Sequence, residues 1–124
     1  MVQTYSSDGT FMTMTVAATK TATAGSWAEM TDDFTVRDNE TVSGTQVIGT
    51  FLTGGAAGTE VTVQMAGIVT VTAGSAGCTA GKLVVIDNAA ATKVEDGTTA
   101  GTVVGIALDT IAADATGKVK IWKG

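Results

Sequence analysis

The sequence predicts an all-β protein, a small β-barrel or β-sandwich with an extended N-terminal arm. Three observations predict it. β-Branched residues alternate with polar ones in short runs, the pattern of half-buried strands. Sixteen glycines, with pairs such as Gly54-Gly55, Asp87-Asn88 and Asp96-Gly97, punctuate those runs. The strands then follow one another every 8–16 residues or so, a rhythm typical of sandwiches and barrels. Helical periodicity is scarce, and only residues 109–115 suggest a short helical turn.

The runs can be taken in order. Phe11-Met12-Thr13-Met14-Thr15-Val16 puts Met12, Met14 and Val16 on one face and the threonines on the other. Residues 46–52 form a second apolar run. Residues 59–65 turn Val61, Val63 and Met65 inward and Glu60, Thr62 and Gln64 outward. The run 68–72 resumes after Ala66-Gly67, so these two strands are expected to form a hairpin about Gly67. Residues 82–86 and 102–108 are nearly continuous apolar runs, suited to strands buried on both faces. Residues 118–122 close the series. No fixed-period repeat is present. Residues 1–40 are acidic and Thr-rich and read as an arm plus early strands. Residues 42–124, apolar and glycine-punctuated, read as the compact β core.

Composition narrows the chemistry. The 124 residues contain no histidine, no proline and one cysteine, Cys78. A histidine-based triad, a histidine base, a histidine metal ligand, an internal disulfide and a Cys-rich zinc site are therefore all excluded. The low charged fraction, 15%, together with abundant β-branched residues, argues for a packed core and against disorder. A chain of this size folds to a surface of roughly 6,100 Å², enough to hide about two-thirds of its unfolded surface. The net charge of −5 is uneven. Residues 1–60 carry seven acids against Lys20 and Arg37, whereas five lysines balance five acids in 61–124. An acidic chain with a single arginine repels nucleic acid. No apolar stretch is long enough to span a membrane as a helix. The N-terminal residues lack the basic and apolar regions of a secretory signal.

The local motifs favour structure over chemistry. Gly54-Gly55-Ala56-Ala57-Gly58 lacks the spacing and the strand–helix setting of a phosphate cradle. Gly77-Cys78-Thr79-Ala80-Gly81-Lys82-Leu83 resembles the end of a P-loop. However, Ala76 stands where its first glycine belongs, and Leu83 replaces the magnesium-binding hydroxyl. The acidic run Glu29, Asp32, Asp33, Asp38 and Glu40 lacks the order of an EF-hand and reads as a solvated loop. Cys78 has no base to activate it. Trp27 and Trp122 divide between core and interface, because tryptophan is common in both settings. No enzyme activity, cofactor, metal or small-molecule substrate is expected.

The core segments resemble the capsid cement, or head decoration, proteins of tailed bacteriophages. The resemblance rests on Val47-Ile48-Gly49, then Ala56-Ala57-Gly58-Thr59-Glu60-Val61-Thr62-Val63, then Gly67-Ile68-Val69-Thr70-Val71. After these come Ala80-Gly81-Lys82-Leu83-Val84-Val85-Ile86-Asp87, Gly105-Ile106-Ala107-Leu108-Asp109 and the closing stretch 112–121. It covers residues 42–122, with the segments in the family's order. It implies a structural virion protein, made in the bacterial cytoplasm, that binds the outer capsid surface and stabilises it. The implied partners are the major capsid protein and further copies of itself, as a homotrimer. The arm, through alternating Met12, Met14 and Val16, is expected to add a strand to a capsid sheet edge. Tyr5, Phe11, Met12, Met14, Val16 and Trp27 are the expected contact residues. The alternatives are a tail-tube, tail-tip or fibre domain, and then a small adhesin or carbohydrate-binding sandwich.

Overall fold

A computed structural model of the chain describes residues 10–98 and 102–122. Twelve strands follow one another among these described residues. The first seven are β1 (Phe11–Val16), β2 (Thr21–Ala22), β3 (Trp27–Asp32), β4 (Thr35–Asp38), β5 (Val47–Phe51), β6 (Gly55–Ala56) and β7 (Glu60–Gln64). The last five are β8 (Gly67–Thr72), β9 (Leu83–Asp87), β10 (Ala90–Asp96), β11 (Val103–Ala107) and β12 (Thr116–Ile121).

Five strands close a barrel in the order β1-β4-β3-β5-β7, and β7 returns to β1. The β1–β7 pairing is antiparallel and runs from Phe11 opposite Gln64 to Thr15 opposite Glu60. The β1–β4 seam is parallel and short, pairing Thr15 with Thr35 and Val16 with Val36. Period-two alternation sends Met14, Val16, Ala28, Val36, Val61 and Val63 into the barrel, where they pack with Phe51. Five strands enclose a narrow interior, which these side chains fill. Gly49 is required on β5: a methyl group there would run into the Gln64 carbonyl oxygen on β7.

The other large sheet has the order β10-β9-β11-β12-β8 and is antiparallel throughout. Its edges approach each other, since Ala73 just beyond β8 bridges to Val94 on β10, with Gly74 N donating to Val94 O at 2.8 Å. The concave side holds Val69, Val71, Val84, Ile86, Val94, Val104, Val119 and Ile121. Two residues of the barrel wall, Trp27 and Val47, complete that core. Trp27 points out of the barrel while its neighbour Ala28 points in, and both are fully buried. The indole therefore joins the two halves.

The all-β expectation holds, and the structure combines a barrel with a curled sheet. Three local readings change. The run 59–72 does not make a hairpin: β7 pairs with β1 and β5, whereas β8 pairs with β12. Val61 and Val63 serve one core and Val69 and Val71 the other, so the chain crosses between sheets at Met65-Ala66. Residues 109–115 form no helical turn. Ile111 instead exchanges two backbone hydrogen bonds with Cys78, each 2.9 Å. Third, the boundary near 40–42 does not separate an arm from the core. β1, β3 and β4 lie before it and β5 and β7 after it, in one barrel. β1 is a wall strand, paired with β7 from Phe11 to Thr15 and with β4 at Thr15 and Val16.

Candidate functional site

Of the expected contact residues, the structure gathers some and disperses others. Tyr5 lies outside the described residues. Val16 and Trp27 are 1% and 0% exposed, inside the barrel and inside the second core, so neither is available to a partner. Both lie on wall strands of the barrel, β1 and β3, and face cores that the chain itself fills. On β1, β7 covers one edge from Phe11 to Thr15, and β4 covers the other only at Thr15 and Val16, so any strand addition is confined to the edge of residues 11–14. Phe11 stands half exposed on the outer wall, and Met12 is partly buried.

Met12 and Met14 belong to a different feature. One end of the barrel opens into a cleft of about 290 Å³ lined by Met12, Met14, Met30, Ile48, Met65 and Phe34, with Asp33 at its edge. Four of the chain's five methionines meet there. The strand register explains why. Met12 sits opposite Val63, and Met65 N donates to Thr10 O at 2.7 Å, which sets Met65 beside Met12 at the barrel end. Met30 and Ile48 reach the same layer from β3 and β5. Phe34 overhangs it from the β3–β4 turn, 65% exposed and with a φ of +48°. A bulky side chain rarely adopts that backbone conformation. Asp33 N donates to the Asp32 Oδ1 at 2.8 Å, which tightens the turn.

A second concave region, about 440 Å³, lies where the barrel meets the outer face of the other sheet. It is polar, with Thr23, Thr70, Thr72, Thr92 and Thr116 around Asp38 and Lys93. Its charges are already engaged. Asp38 accepts from Thr23 N at 2.8 Å and Thr23 Oγ1 at 2.7 Å, and Lys93 pairs with Asp114 at 3.0 Å.

The acidic run likewise divides into separate bonds. Glu29 is buried, and its carboxylate accepts from Thr41 Oγ1 at 2.7 Å, Glu40 N at 3.0 Å and Arg37 Nε at 3.2 Å. Burial alone pushes the Glu29 pKa up. The Glu40 amide, the Thr41 hydroxyl and the Arg37 guanidinium more than offset it, and hold the carboxyl below its ordinary value. Arg37 also reaches Glu40 at 3.4 Å, and Lys20 pairs with Glu40 at 3.2 Å. Asp32 and Asp33 remain exposed, with no cation beside them among the described residues. No group of three potential metal ligands gathers among the described residues. Cys78 is buried, and its thiol is pushed up to about 11 by burial and then by the negative charges of Asp96, Glu95 and Asp87. Such a thiol is a poor nucleophile near neutrality.

The methionine mouth was half visible in the sequence. Alternation put Met12 and Met14 on one inward face and Met65 on another. The missing step was that β1 and β7 are partners, which brings those faces to one layer. Met30, Asp33 and Phe34 lie on strands and a turn that the acidic composition disguised as loop.

The fold has a solved counterpart. It is similar to the head fiber gp8.5 N base of bacteriophage phi29. The two share a TM-score of 0.63 and 14% sequence identity, over 91% of this chain and 95% of that one. At that identity the likeness is one of fold. No family model matches the sequence, and no curated protein does.

Proposed function

We propose that this chain is a structural protein of a tailed-phage virion, seated on the outer face of the head and stabilising the shell. The observation that carries the proposal is the agreement in fold, across nearly the whole chain, with the base domain of a phage head fibre. The ordered segments between Val47 and Ile121 that resemble cement proteins support the same assignment. So does the chemistry. The buried Cys78 is deactivated, and most of the acidic run is spent on internal bonds, as suits a mechanical part. In this reading the partner is the major capsid protein, and copies associate as trimers on its lattice. Each contact is modest, and many copies together give avidity. The protein then acts as a set of rivets that resist outward strain of the shell.

The experiment is direct. Purified protein is mixed with expanded, undecorated heads of the phage that encodes it. Saturable co-sedimentation and a raised head-disruption temperature are expected. No binding at any salt concentration overturns the proposal.

A second reading takes support from the neighbour itself, which is the base of a fibre. Here the chain anchors a projecting appendage and adds little to shell strength. Heads that bind the protein without any rise in disruption temperature would favour this reading, and attachment to tails would favour a tail component.

A further inference from the structure

We propose that the methionine-lined mouth of the barrel is a docking pocket for one bulky aliphatic or aromatic side chain, carried on a basic, extended segment of a partner protein. Three observations converge on it. The first is the lining. Met12, Met30, Ile48 and Met65 leave an apolar cleft open at the barrel end, with Met14 at its floor. Methionine is flexible and polarisable, so such a surface adapts to an incoming side chain. An open apolar patch of this kind commonly marks an interaction site.

The second observation is Phe34. It projects into solvent over the cleft from a left-handed backbone position. Its own fold gains little from it there, since the ring is mostly exposed and the backbone is strained. Strain retained at an exposed aromatic beside a cleft is the pattern of a functional contact. The third observation is charge. Asp33 lines the mouth and the exposed Asp32 precedes it in the chain, neither with a cation beside it among the described residues, on the half of the sequence that carries the net −5. A partner segment with lysine or arginine next to its apolar residue matches that rim, steering the approach and fixing its direction. Because the cleft is lined by apolar side chains, the contact is made by a side chain in a pocket.

The inference rests on the head-surface reading only for which protein carries the segment; the pocket chemistry is tested alone. The probe is a lysine–threonine–leucine–threonine–lysine peptide, titrated into protein with isotope-labelled methionine methyl groups. The NMR signals of Met12, Met30 and Met65 are expected to shift saturably at millimolar peptide. A peptide with serine in place of the leucine should leave them unmoved, and one with glutamates in place of the lysines should bind more weakly. Phe34→Gly suits its left-handed position and should keep or raise the melting temperature while weakening binding roughly tenfold. Asp32→Asn with Asp33→Asn should remove the salt dependence of binding. Unmoved methyl signals, equal shifts with the serine peptide, or unchanged binding by Phe34→Gly would overturn the proposal. So would signals that move with protein concentration alone, which assign the mouth to a second copy. Signals that move on deleting residues 2–9 alone would assign it to the chain's own N-terminus. Failure of head binding with peptide binding intact removes the head-surface reading and leaves the pocket.

Discussion

The two halves of the molecule are built from similar strands and end differently. The curled sheet is filled with valine, isoleucine and alanine, and it takes in Trp27 and Val47 from its neighbour to complete a closed core. The barrel is filled at its middle by Val16, Val36, Phe51, Val61 and Val63, but one end is left to methionines and remains open. Charge divides along a similar line. Residues 1–60 hold the whole net charge, and 61–124 are balanced. β-Branched residues have few rotamers and lock a core into one arrangement, whereas methionine leaves it adjustable. The difference teaches that the second half holds the shape while the barrel end is left free to meet something else.

The largest expected effect breaks the joint between the halves. Trp27→Ala should cost about 3–5 kcal/mol in chemical denaturation, since it empties the site where both halves meet. A loss under about 1 kcal/mol would mean that the halves hold together without the indole. The next test compares their interiors. Ile86→Ala, deep in the curled sheet, should cost about 2–5 kcal/mol, while Met65→Ala at the half-buried mouth should cost about 1 kcal/mol. Equal costs would show the mouth to be a filled core and erase the contrast.

The third prediction concerns the acidic half. Glu29→Gln keeps the shape but removes a carboxylate with three donors, and should cost about 1–2 kcal/mol at neutral pH. The Glu29 carboxyl titrates below its ordinary 4.5 in the folded chain. Its stabilisation is therefore complete above that ordinary value and fades as the pH falls through the lower, folded value. Denaturation curves of the two proteins should converge below about pH 4.5, and a gap that persists there would assign the cost to packing. The smallest effect belongs to the exposed Lys20–Glu40 pair. Lys20→Ala should change stability by less than about 0.5 kcal/mol, and less still in high salt.

Much of this was legible in the sequence, for identifiable reasons. The runs 11–16, 59–65 and 118–122 alternate because one face of each is buried and the other largely wet, and they became β1, β7 and β12; Gln64, expected outward, is instead buried and donates to the Ala66 carbonyl. β3 and β4 were hidden because Glu29 and Arg37 satisfy each other within the strand pair and Asp38 is bonded by the Thr23 amide and hydroxyl. Local composition registers such residues as loop. The false hairpin about Gly67 has the opposite origin. Two good strands in sequence are usually neighbours in space, and only the distribution of Val61, Val63, Val69 and Val71 between two cores reveals the crossover. The mouth required tertiary knowledge, because its four methionines come from three different places along the chain.

The claim that this chain works on the outside of a phage head can be tested most directly by imaging. Expanded heads incubated with the purified protein and examined by cryo-electron microscopy should show density of this fold at repeated positions on the outer face of the shell. Bare heads, or density confined to the tail, would contradict it.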